Sequence, residues 1–141
     1  MFKKIFKKEK KENSDNKKIL VAALLIHAAK IDENYSDIEK KIIKEALINL
    51  NNINSDQAED LMKLAEKKEE ESNQMLEFTR EIKKHPMEFR LKIIEIIWKI
   101  VYSDDVSDNY ESNLIRRICG LLYISDKDNG IIRAKVNNLP K

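Results

Sequence analysis

Between Pro86 and Ser103 lies the most apolar stretch of the chain, with Phe89, Leu91, Ile93, Ile94, Ile96, Ile97, Trp98, Ile100 and Val101. Coiled as a helix, this stretch has almost no polar face. A helix that is apolar all round is packed on several sides. It predicts a central helix over about 86–103, with Pro86 suited to its first turn. Other helices have to surround it, and the remaining sequence supplies them.

From Lys17, Ile19, Leu20, Ala23, Leu24, Ile26, His27 and Ala28 recur at helical spacing. The stop signal Asp32-Glu-Asn-Tyr follows. Ser36-Asp-Ile-Glu39 then reads as a capping box opening a second helix, with Ile38, Ile42, Ile43, Ala46, Leu47 and Leu50 on one face. Asn-rich residues 51–54 end it, and Ser55-Asp-Gln-Ala opens a third. Residues 66–74 contain no apolar member, so they are an exposed helix end or a linker. A short segment holds Met75, Leu76, Phe78 and Ile82. After the central helix, Asp108-Asn-Tyr-Glu111 is a second capping box, and Ser125-Asp-Lys-Asp starts a last helix reaching about Val136. With two Gly and two Pro in 141 residues and no alternating strand pattern, the expected fold class is all-α, a six- to seven-helix bundle.

Within this bundle a segment recurs. Residues 28–43 align without gaps on residues 100–115, at an offset of 72. Asp32 matches Asp104, Glu39 matches Glu111, and Ile42 and Ile43 match Leu114 and Ile115. Each copy reads apolar helix, Asp, six residues, Glu, next helix. Two such units predict an internal pseudo-two-fold repeat that could bring the two acidic turns close together.

The twice-used acidic turn resembles that of the tellurite resistance protein B (TerB) family. The resemblance extends to Phe78-Thr-Arg, Arg90-Leu, Trp98, Ser103-Asp104-Asp105 and Glu111-Ser-Asn-Leu-Ile-Arg-Arg-Ile, and covers about residues 17–130. It implies an all-helical fold shared with the N-terminal region of a membrane-anchored J-domain co-chaperone. It also implies a link to tellurite or stress resistance, and metal binding by the acidic turns. The family pattern has Gly after each Asp, where this chain has Glu33 and Asp105, so both turns are more negative here.

From the residues themselves, Asp32, Glu39, Asp104 and Glu111, assisted by Glu33 and Asp105, are the candidate metal ligands. Carboxylate oxygens suit hard divalent cations such as Ca²⁺, Mg²⁺ or Mn²⁺. The competing reading is structural: Glu39 and Glu111 serve as capping-box acids, and Asp32 and Asp104 accept loop hydrogen bonds. Asp126-Lys-Asp128-Asn-Gly130 resembles the start of a calcium loop, but an EF-hand needs Glu at position twelve, and Asn137 stands there. His27 reads as a core or boundary histidine, His85 as an N-cap neighbour, Trp98 as a core anchor and Cys119 as a buried thiol.

The single Cys excludes an intramolecular disulfide framework and any Cys-based zinc site, and it fits a reducing compartment. Two Gly leave no room for a phosphate-binding loop. The expected function is therefore non-enzymatic: a binding or scaffold module whose acidic turns hold a divalent metal or a protein partner of unknown identity. The alternatives are a divalent-metal-dependent enzyme using the same carboxylates, and a pure protein–protein adaptor with structural acids.

Charge is uneven. Residues 1–18 carry eight Lys against Glu9, Glu12 and Asp15, a net +5, and the rest of the chain is −3. Residues 1–16 are expected to be a flexible basic arm and residues 17–141 a single helical domain. Phe2, Ile5 and Phe6 stand at helical spacing among the lysines, a pattern that can lie on an anionic membrane, with a solvated tail as the other reading. No apolar run approaches the roughly 18 residues of a membrane span. The expectation is a cytoplasmic protein, with the inner membrane surface as a place of contact, and no nucleic-acid partner because the body is acidic.

Overall fold

The computed structural model describes the backbone of residues 2–30, 35–72, 75–103 and 109–138, and their side chains except for 2–14 and 109–112. Among these residues there are seven helices: α1 (Phe2–Ala29), α2 (Asp37–Asn51), α3 (Ser55–Ser72), α4 (Met75–Lys83), α5 (Met87–Tyr102), α6 (Asn109–Leu121) and α7 (Asp126–Asn137). The expected all-α bundle is the fold. α1 is one continuous helix, so the boundary drawn at residue 16 falls inside it.

Local chemistry sets the helix ends. At α2 the capping box is complete: Glu39 N donates to Ser36 Oγ at 3.2 Å, and Ser36 N donates to Glu39 Oε1 at 3.2 Å. These bonds satisfy two backbone donors that a helix start would otherwise leave open. α2 ends on Asn52, whose φ of 51° places it in the left-handed region that Asn tolerates. Asn54, expected to belong to this ending, instead caps the next helix. Its backbone N donates to Gln57 Oε1 at 3.0 Å, and Gln57 N donates to Asn54 Oδ1 at 2.8 Å. α7 begins as expected, with Ser125 Oγ accepting from Asp128 N.

The core has two centres rather than one. In α1, Leu20–Ile26, Ala28 and Ala29 are all buried, and α1 packs on α2, α3, α4 and α5. α5 buries Ile93, Ile94, Ile96, Ile97, Trp98, Ile100 and Val101, and packs on α1, α2, α6 and α7. The four alanines of α1 explain why it equals α5 in enclosure. A small side chain lets a neighbouring helix approach closely, so burial there needs less apolar bulk.

The duplication continues past the turns. Shifted by 72 residues, Asp37 at the start of α2 falls on Asn109, the first residue of α6, and Ser55 at the start of α3 falls one residue past the start of α7. Packing follows the same plan: α1 packs on α2 and α3, α2 on α3, and α5, α6 and α7 repeat all three pairings. α4 lies between the two three-helix units and has no counterpart among the described helices.

α6 ends in a Schellman turn. Ile124 N donates to Cys119 O at 2.9 Å and Tyr123 N to Gly120 O at 3.4 Å, while Arg90 Nη1 donates to Leu122 O at 2.7 Å. The residue forced into the left-handed region is Tyr123, at φ 58°. Glycine is the usual occupant, and a Cβ there costs roughly 1–2 kcal/mol. Against this, the Lys83 ammonium lies 4.6 Å from the exposed tyrosine ring, a contact worth about 0.5–1 kcal/mol at such a site. Tyr123→Gly is therefore expected to raise the urea midpoint, by about 0.5–1 kcal/mol of stability. A lower midpoint would mean that the Lys83 contact outweighs the backbone strain.

Candidate functional site at the two acidic turns

Of the six candidate ligands, Asp32, Glu33, Asp104 and Asp105 lie outside the described residues, and Glu111 is described only as a backbone position on α6. Glu39 is placed in full. It is buried, at 2% exposure, and its Oε1 accepts from both the backbone N and the hydroxyl of Ser36, at 3.2 and 3.0 Å. The capping role anticipated for it is therefore present. A carboxylate offers about four acceptor positions, so a capping acid can also serve as a hard-cation ligand, and a carboxylate donor set fits that class of ion. Among the described residues, no three His, Cys, Asp or Glu side chains converge as a metal site.

The residues flanking the turns are tied down. Lys30, two positions before Asp32, donates from Nζ to Glu69 Oε2 of α3 at 2.9 Å, and His27 Nδ1 lies 3.2 Å from Glu69 Oε1. On the far side of the same turn, the Tyr35 hydroxyl donates to Glu66 of α3 at 3.1 Å. Burial, together with the Glu66 carboxylate, pushes that hydroxyl above its usual range and keeps it protonated. The second unit repeats the device with other chemistry. Tyr102, two positions before Asp104, accepts from Arg133 Nε of α7 at 3.0 Å. The Arg133 guanidinium lies 4.8 Å from the Trp98 ring centroid, and Trp98 donates from Nε1 to Asn129 Oδ1 at 2.9 Å. In each unit, the end of the first helix is held to the third helix just before the acidic turn begins.

A groove of about 780 Å³ lies between α2, α5 and the end of α7. Ile38, Ile42, Ala46 and Leu50 line one wall at four-residue spacing, and Lys92, Glu95, Ile96, Lys99, Tyr102 and Ser103 line the other. Ile38 follows the first turn in sequence and Ser103 precedes the second, so a residue flanking each turn lines the one groove. Glu39 is not among the groove-lining residues.

The remaining sequence candidates are structural. His27 is a boundary residue tilted against Phe78, and His85 stacks on Phe89 at 4.3 Å. Trp98 is 1% exposed. Cys119 is buried, and burial with Asp126 nearby pushes its thiol up to about 12. Asp126–Gly130 forms the start of α7 rather than a cation loop.

Glu69 was not anticipated, because residues 66–74 hold no apolar side chain. The signal was positional. Ala58, Met62, Ala65 and Glu69 follow three- and four-residue spacing, and all four are buried. The polar run is thus the end of α3, with one carboxylate directed into the bundle. Burial raises the Glu69 pKa, but the hydrogen bonds from Lys30 and His27 outweigh it and hold the group below its ordinary 4.5. A depressed carboxylate contributes stability above its unfolded pKa and loses it as pH falls through the folded value. Glu69→Gln should therefore cost about 2 kcal/mol near neutral pH, the usual worth of hydrogen bonds to a charged group. Denaturant melts should show that gap narrowing steadily below pH 4.5. A gap independent of pH would show that the carboxylate charge contributes nothing.

No curated protein and no solved structure matches this chain. The family model described as tellurite resistance protein TerB matches residues 18–134, which run from the start of the described core in α1 nearly to the end of α7. With most of the chain matched and the paired helix-turn-helix units in place, the protein belongs to the TerB family.

Proposed function

We propose that this TerB-family chain is a non-enzymatic binding module of the tellurite and stress response. Its two acidic turns hold a divalent cation, Ca²⁺, Mg²⁺ or Mn²⁺, through Asp32, Glu39, Asp104 and Glu111, with Glu33 and Asp105 adding charge. The bound ion adjoins the groove, which takes a protein partner. One observation carries this reading: residues flanking both turns line the same groove. A bound ion would add a double positive charge beside it and stiffen both turns. The buried Cys119 supports a binding role, since a thiol held at about 12 supplies little of the thiolate that redox chemistry on an oxyanion requires.

A second reading, a protein–protein adaptor whose acids are only structural, is favoured by the completed cap at Glu39. The reading of a metal-dependent enzyme would need a pocket lined by the candidate acids, and Glu39 does not line the groove.

Calorimetric titration of chelator-stripped protein with each ion separates these readings. The expected result is micromolar binding that raises the melting temperature and is lost in both Asp32→Ala and Asp104→Ala. Ser36→Ala, which removes the cap but no carboxylate, should cost about 1 kcal/mol and still bind. Absence of heat with every ion, with aspartate variants that only melt lower, would leave the adaptor reading.

A further inference from the structure

The family match begins at residue 18, and the described core begins at Ile19. Yet α1 starts at Phe2, so a helical segment of some sixteen residues precedes the domain without a break. Its sequence is FKKIFKKEKKENSDNK. On a helix, positions 2, 5 and 6 share one face, and they carry Phe, Ile and Phe. Lys3, Lys4, Lys7 and Lys8 lie on the other side over this first stretch, followed by Lys10 and Lys11, and Glu9 is the next residue on the face of Phe2, Ile5 and Phe6. The helix register supplied by the structure makes residues 2–8 two-faced, a short apolar patch with lysines opposite. Charge is polarised in the same sense, with +5 over residues 1–18 against −3 for the rest.

We propose that the N-terminal extension of α1 docks on an anionic lipid surface. The apolar positions would enter the headgroup boundary, and the lysines would neutralise acidic headgroups. One feature favours lipid over another polyanion. Nucleic acid would use the lysines but has no call for Phe2, Ile5 and Phe6 at helical spacing. No helix among the described residues is long and apolar enough to cross a membrane, so attachment by this route is peripheral and reversible. The inference is independent of whether the turns bind metal.

The test is flotation of the full chain with vesicles of phosphatidylcholine alone and of phosphatidylcholine with about a third phosphatidylglycerol. The expected result is flotation with the anionic vesicles only, weakened at high salt. A Phe2→Ser/Phe6→Ser variant and a Lys3→Glu/Lys4→Glu/Lys7→Glu variant should each lose at least tenfold in partitioning. Both lie outside the matched domain, and unchanged thermal melts would confirm that the fold is intact. Absence of flotation with anionic vesicles would overturn the proposal. So would flotation that needs the lysines but ignores Phe2 and Phe6, since that pattern describes a general polyanion contact, for which nucleic acid is the alternative.

Discussion

Ten consecutive residues of α1, from Leu20 to Ala29, are buried with the single exception of His27. A helix enclosed on all sides cannot rest on one partner, so α2, α3, α4 and α5 all gather against it. Once α1 is surrounded, α5 becomes the only other strongly apolar helix, and it collects α6 and α7 around its own free side. The two groups meet where α1 and α2 pack on α5 and α4 packs on α6, and fully buried side chains such as Phe78 contribute roughly 2–3 kcal/mol each to the whole. The surface elements follow from enclosing two apolar rods with amphipathic ones.

Within that frame the described residues that flank each turn are held by polar contacts at the rim of the core. Lys30 reaches Glu69, Tyr35 reaches Glu66, and Tyr102 meets Arg133. All of these contacts run from the first helix of a unit, or from its turn, to the third helix. A loop anchored in this way loses less entropy when its side chains engage a ligand, because part of the ordering has occurred during folding. The acidic turns are thus supported by groups that are not themselves acids of the turns.

Sequence and structure agree where the information is local. The Ser36–Glu39 box, the Ser125 cap, the buried Cys119 and the enclosed Trp98 all follow from residue type and spacing within one or two turns of helix. Disagreement begins where a residue could serve either of two elements or where a partner is distant in sequence. Asn54 lies in an Asn-rich run that reads equally as the end of one helix or the start of another, and only Gln57 decides it. Glu69 sits in a wholly polar stretch, and its burial depends on Lys30 and His27, about forty residues away. Tyr123 in a glycine conformation has no local signature, because Arg90 and the Schellman bonds impose it. The candidate acids were legible as a repeated spacing. The tethers that flank them were not, because the two units use an ion pair and an aromatic–guanidinium contact for the same task.

The unmatched helix α4 acquires a particular importance from this plan. It packs on α1 of the first unit and α6 of the second, so it works as a clasp between the halves. Its nine residues carry none of the candidate acids, yet they fix the phase of everything that follows them. One residue inserted there would turn the downstream chain by about 100° about the helix axis. The joining of the two three-helix units thus depends in part on the length of a spacer that belongs to neither.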